Sequence, residues 1–242
     1  MLGVPAGTRA LLFDLDGVLT GTAVVHTRAW KQMFDAFLAP LGQPPFSDQD
    51  YLLHVDGRPR LDGIRGFLAS RGIEIAEGTP SDPAAADTVH GLGERKNRIV
   101  HELIERDGVD AYPDALAFLD AADDAGLAMA VVSSSANCRL VLDVTGLTGR
   151  FAVVVDGVVR ERLGLPGKPA PDTFVEAARE LGVPVPAAVV FEDAIAGVAA
   201  GVAGGFGAVI GVNRESADTG AALAAAGATT VVSALTDLME QR

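Results

Sequence analysis

The decapeptide LLFDLDGVLT, residues 11–20, constrains the fold of this chain more than any other stretch. An apolar strand runs into two carboxylates, Asp14 and Asp16, and then into Gly17, so the acids stand where a buried strand ends and a turn begins. Residues i and i+2 of an extended chain face the same side. Both carboxylates therefore converge at a strand's carboxyl end, where open α/β sheets keep their ligands. Acids packed this closely repel one another, and a bound cation or a raised pKa relieves them. An Asp-Gly turn with solvated acids is the alternative.

Past this strand the pattern turns helical from about residue 22 to 110. Segments 27–38, 62–70 and 94–106 carry apolar stripes, among them Trp30, Phe34, Phe37 and Leu38, and no strand is predicted in this block. After Tyr112-Pro113, helix and strand alternate. Strands are expected at 128–132, 151–155, 188–191, 207–212 and 229–232, with helices at 114–125, 139–144, 172–181 and 216–226. Such alternation predicts an α/β fold, a doubly wound, mostly parallel sheet. Residues 1–21 and 111–242 then form the core domain. Residues 22–110 form an inserted α-helical cap domain, expected over the sheet's carboxyl edge.

Composition excludes several partners. With 32 acids against 19 bases the formal net charge is −13, which opposes binding to nucleic acid or an anionic membrane. An anionic substrate then needs a locally cationic pocket. Cys138 is the only cysteine, which rules out an intrachain disulfide and suits a core position in a reducing cytoplasm. Residues 194–213 carry no charge, but six glycines interrupt them. They read as a buried helix, a glycine break and a strand rather than a membrane span. A cytoplasmic monomer is expected.

Three further polar clusters fall at strand ends. Ser133-Ser134-Ser135-Ala136-Asn137 follows Val131-Val132 and offers hydroxyls and backbone NH groups for a phosphate, or an ordinary helix cap. Lys168 precedes Pro169 in GKPAPD, next to a predicted helix. Glu192-Asp193 closes the apolar run Val189-Val190-Phe191, and with Asp14 and Asp16 supplies oxygen ligands for a hard divalent cation such as Mg²⁺.

In this order, the four clusters resemble the motifs of the haloacid dehalogenase superfamily: DLDGVLT the first, Ser133 the second, Lys168 the third, and Glu192-Asp193 in FEDAIAGV the fourth. The resemblance covers nearly the whole chain. It implies a Rossmann-like core with a helical cap, Asp14 as nucleophile through an aspartyl phosphate and Asp16 as general acid and base. It also implies Mg²⁺ held by Asp14, the Asp16 carbonyl, and Glu192 or Asp193. Within the superfamily the chain resembles the β-phosphoglucomutase branch. Thr22, His26, Arg60 and Lys96 match that branch's cap residues, and Ser135 and Asn137 the positions that hold a second, non-reacting phosphate. Gly21 stands where the branch more often has Asp, and Ala136 where it can have lysine. Residues 81–93, including DPAAADTVHGLG, read as an added loop in the cap. The resemblance implies a mutase acting on a small sugar phosphate, with β-glucose 1-phosphate and glucose 6-phosphate as its reactants. The alternatives are a sugar or polyol phosphate phosphatase with the same motifs, and a binding module whose catalysis has lapsed.

Overall fold

The computed structural model describes residues 2–214 and 216–239. The chain divides into two compact units, Met1–Gly21 with Val109–Arg242, and Thr22–Gly108. The first holds one sheet of six strands: β1 (Ala10–Phe13), β2 (Ala128–Val132), β3 (Val153–Val155), β4 (Ala188–Glu192), β5 (Ala208–Val212) and β6 (Thr230–Val232). All pair in parallel in the order β3-β2-β1-β4-β5-β6. The order reverses at β1, which leaves a crevice at the carboxyl ends of β1 and its neighbours, the usual ligand position in such sheets.

Central strands covered on both faces should be apolar throughout, and β1, ALLF, is fully buried. One face carries aromatic packing, with Phe13 stacked on Phe191 at 4.6 Å and meeting Phe118 edge-on at 6.2 Å. The opposite face is built from Leu12 and the smaller side chains Ala10, Ala130, Val132, Ala188 and Val190, against Phe174 and Ala177. Their size lets helices come close to the sheet. The helices of this unit are α4 (Pro113–Asp124), α5 (Cys138–Val144), α6 (Gly157–Leu163), α7 (Asp172–Glu180), α8 (Ile195–Gly204) and α9 (Ala217–Ala225).

The uncharged stretch 194–213 resolves as α8, a left-handed Gly205 with φ +73°, and β5. No helix among the described residues is long and apolar enough to cross a membrane. Helix α6 falls where the sequence predicts no element. It is seven residues long, too short for its apolar spacing to stand out, and Asp156 caps it by accepting from the Val159 amide at 2.8 Å.

The second unit contains α1 (Thr22–Leu38), α2 (Arg60–Ser70) and α3 (Val89–Asp107), with short helical turns at Asp48–Asp50 and Tyr51–Val55. Its core is an aromatic cluster in which the Phe34 ring centroid lies 4.9 Å from that of Phe46 and 5.5 Å from that of Trp30, both stacked, and 4.3 Å from that of the tilted Phe67. The stretch expected as a loop through residue 93 ends earlier, because Val89–Gly93 is the first turn of α3. Thr88 caps it by accepting from the Gly91 amide at 3.0 Å. Gly91 and Gly93 depress helix propensity and hide this turn in the sequence, yet both are required sterically. A Cβ on Gly91 would overlap the Ala86 carbonyl, and one on Gly93 would lie 2.8 Å from Leu61. Arg95 ties the loop down, donating to Ala84 O at 2.7 Å and pairing with Asp87 at 3.0 Å.

Candidate active site

Parallel register aligns the chain ends at the crevice. Phe13 lies between Val131 and Phe191, so Asp14, Val132 and Glu192 leave the sheet side by side. The Asp14 amide continues the ladder, donating to Phe191 O at 2.9 Å, and the Ser133 amide donates to Val155 O at 3.1 Å. Asp14, Ser133, Lys168 and Glu192 are all buried. Gly17, with φ +88°, turns the chain back so that its amide donates to Thr20 O at 2.8 Å; only glycine takes that backbone without strain.

Lys168 is the hub of the site. Its ammonium donates to Asp14 Oδ1 at 2.5 Å and to Val132 O at 3.0 Å, pairs with Glu192 Oε1, and lies 4.9 Å from the Phe174 ring centroid. The Lys168-Pro169 peptide is cis. Burial works against the ammonium, but the Asp14 and Glu192 carboxylates outweigh it and hold the Lys168 pKa above its ordinary value, so the cation persists at every working pH. Burial also pushes the Asp14 carboxyl well above the usual carboxylate range, the Lys168 charge pulls it back, and Glu192 and Asp16 push it further up. A second positive charge beside Asp14 would favour its anion.

Glu192 and Asp193 look equivalent in sequence but differ in place. Glu192, wholly buried, commits one oxygen to Lys168 and accepts from the Ala194 amide at 3.1 Å with the other, just ahead of α8. Asp193 is partly exposed. Gly197 makes room for Glu192, since a Cβ there would overlap its carboxylate. Gly197→Ala is therefore expected to displace Glu192 and destabilise the fold by about 1–3 kcal/mol. A urea denaturation midpoint equal to that of the parent would contradict this placement.

The loop at residues 133–137 is wound on its own hydroxyls. Ser133 Oγ accepts from the Ser135 amide at 3.0 Å and donates to Asp16 Oδ2 at 3.3 Å, and Ser135 Oγ accepts from the Asn137 amide at 3.1 Å. Asp156 and Gly157 buttress this loop. The Gly157 amide donates to Ser135 O at 3.1 Å, and a Cβ on Gly157 would come within 2.9 Å of Ala136 N and Ser134 O. Asp156, fully buried, caps α6 and pairs with Arg139 at 3.1 Å. An acid and a glycine after the apolar run VVV were the available signal for this support. Burial pushes the Cys138 thiol far above its ordinary pKa, so it packs as an inert core residue.

No group of three or more His, Cys, Asp or Glu side chains forms a metal cage among the described residues. The carboxylates of Asp14 and Asp193 and the main-chain oxygen of Asp16 are hard donors of the kind taken by a cation that keeps waters and accepts phosphate oxygens, as Mg²⁺ does.

Of the residues predicted in the helical block, Thr22 is buried at the start of α1, and Arg60 opens α2. His26 and Lys96 meet, with Lys96 Nζ 2.5 Å from His26 Nδ1 and 4.9 Å from the Trp30 ring centroid. An ammonium has no acceptor, so Nδ1 of His26 accepts here.

Comparison with known proteins places this geometry in a family. Residues 8–205 match the model for haloacid dehalogenase-like hydrolases. A β-phosphoglucomutase of Mycobacterium tuberculosis is 51% identical over 99% of this chain and 94% of its own length. Hexitol phosphatase A of Escherichia coli is 32% identical over 87% of this chain and 85% of its own. The crystal structure of a β-phosphoglucomutase from Clostridium difficile superposes with a TM-score of 0.74 at 23% identity, covering 96% of this chain and 93% of that one, and so shares the fold. The chain belongs to the haloacid dehalogenase superfamily, in its β-phosphoglucomutase-like branch. Relatives named here are phosphoryl-handling enzymes, and the chain is an enzyme of that kind.

Proposed function

We propose that this protein is a Mg²⁺-dependent β-phosphoglucomutase that converts β-D-glucose 1-phosphate to glucose 6-phosphate through the 1,6-bisphosphate. The buried Asp14–Lys168–Glu192 array at the sheet's switch point carries the phosphoryl-transfer reading. The sugar is carried by 51% identity over nearly the whole chain to a mycobacterial enzyme of that name.

The chain's own residues can supply the chemistry. Phosphoryl transfer needs positioning and cancellation of charge on the phosphoryl oxygens. Asp14 is the nucleophile and splits one hard step into two easier ones. Lys168 keeps Asp14 aimed and adds positive charge, while Ser133 and Ser134, directly after β2, receive phosphoryl oxygens. Asp16, hydrogen-bonded to Ser133, gives a proton to the leaving oxygen and takes one from the attacking hydroxyl. Asp14, the carbonyl of Asp16 and Asp193 would hold Mg²⁺, with Glu192 reserved for Lys168. When bound, the cation would neutralise charge on the nucleophile and the phosphoryl group.

A mutase also binds a second phosphate. Ser135 and Asn137 are proposed as its ligands, and Thr22, His26, Arg60 and Lys96 are proposed as substrate ligands, Arg60 offering a bidentate clamp. A cytoplasmic monomer is part of this reading, and the single free cysteine suits the cytoplasm.

The 32% identity to a hexitol phosphatase favours a second reading, hydrolysis of a polyol phosphate. The test supplies β-glucose 1-phosphate, Mg²⁺ and a trace of glucose 1,6-bisphosphate and follows glucose 6-phosphate and inorganic phosphate in one tube. Glucose 6-phosphate forming well ahead of inorganic phosphate is expected. Inorganic phosphate alone would transfer the assignment to a phosphatase, and no turnover of any phosphoester would point to a lapsed binding module.

A further inference from the structure

Arg214, at the carboxyl end of β5, is absent from every motif discussed above, yet its guanidinium engages two segments remote in sequence. Nε donates to Gly17 O and Nη2 to Val18 O, each at 2.9 Å. Nη1 and Nη2 form a bidentate pair with Asp114 at 3.1 and 3.0 Å, and the guanidinium carbon lies 3.8 Å from the Tyr112 ring centroid. Arg214 and Asp114 side chains are each only 16% exposed. Asp114 is itself held, accepting from the Leu235 amide at 2.7 Å, and the Tyr112 amide donates to Leu19 O at 2.9 Å. Arg214 is thus fixed by the sheet, by α4 and by an aromatic face.

The turn it grips is the one that presents Asp16. On its inner side that turn satisfies itself: the amides of Leu19 and Thr20 donate to Leu15 O at 3.0 and 3.1 Å, and Thr20 Oγ1 donates to the same oxygen at 3.1 Å. The carbonyls of Gly17 and Val18 face Arg214. The Gly17 carbonyl is one residue beyond Asp16, and a glycine follows the acid, so local sterics alone leave the backbone there loosely determined. We infer that Arg214 is a positioning residue for Asp16, holding the general acid and base at its working place through the Gly17 and Val18 carbonyls.

The inference rests on the phosphoryl-transfer reading and has a consequence that a general structural role lacks. When Asp14 attacks an alkyl phosphate, the Asp14 Oδ–P bond forms, the P–O bond to the alkyl group breaks, and the departing oxygen takes the proton carried by Asp16. When the ester is p-nitrophenyl phosphate, the departing phenolate is stable as an anion and needs no proton. Loss of Arg214 should therefore slow the first reaction and spare the second.

The experiment measures single-turnover loss of a hexose phosphate and single-turnover release of p-nitrophenolate, with enzyme in excess, for the wild type, Arg214→Lys, Arg214→Met and Arg214→Met with Asp114→Asn. The double variant removes the carboxylate that Arg214→Met would strand. In Arg214→Met the hexose phosphate step is expected to slow about 10²-fold, the lower range of general acid catalysis, with p-nitrophenolate release close to wild type. Arg214→Lys is expected to recover part of the loss. Equal slowing of both steps, or no slowing of either, in the variants that melt like the wild type would overturn the assignment. A wild-type protein that releases neither product would overturn the phosphoryl-transfer reading itself, and this inference with it.

Discussion

Asp14→Asn is expected to lose phosphoryl transfer by about 10⁴-fold or more, the scale seen when a nucleophile is removed from an otherwise intact site. The amide has the carboxylate's shape but no nucleophilic oxygen anion. The fold should tolerate it. Asp14 is a carboxylate whose burial costs free energy, and Lys168 keeps Val132 O and Glu192 when the Asp14 charge goes. Stability within about 1 kcal/mol of the parent is expected by urea denaturation, since no buried cation is stranded. Near-normal turnover in Asp14→Asn would refute the role given to this residue.

Lys168→Met should be the most damaging change to stability in the site. It leaves Asp14 and Glu192 buried next to each other without the cation that joins them, and breaking a buried pair from one side costs about 3–5 kcal/mol. Adding Glu192→Gln removes one of the stranded charges. The double variant is expected to regain much of the stability and none of the activity, because Asp14 still lacks its partner. Equilibrium denaturation with a phosphoester assay on both proteins separates the two effects. Recovery of activity along with stability would show Lys168 to be structural only.

Much of the fold could be read from residue order alone, for physical reasons. Strands buried on both faces are short continuous apolar runs, and AMAVV, AVVFE and AVIGV stand out between amphipathic helices. Polar residues directly after such runs mark the sheet's carboxyl edge, which is why Asp14, Ser133 and Glu192 could be grouped before any coordinates. What escaped the sequence was conveyed by contacts across long separations. Lys168 meets Asp14 from 154 positions away, and that pairing separates Glu192 from Asp193, which a list of adjacent acids cannot do. Arg214 reaches the Asp16 turn from 196 positions away and looks like any surface arginine in the chain. Helix α6 and the first turn of α3 were hidden for local reasons, one by its length and the other by glycines that packing demands.

Trapping the covalent intermediate tests the central claim most directly. Protein mixed with Mg²⁺ and glucose 1,6-bisphosphate, quenched in acid and reduced with borohydride, converts an aspartyl phosphate to homoserine, which peptide mass mapping locates. The account predicts homoserine at position 14 and at no other acid, with the signal lost in Asp14→Asn. Homoserine at position 16, or a phosphoryl group found on a histidine, would contradict it.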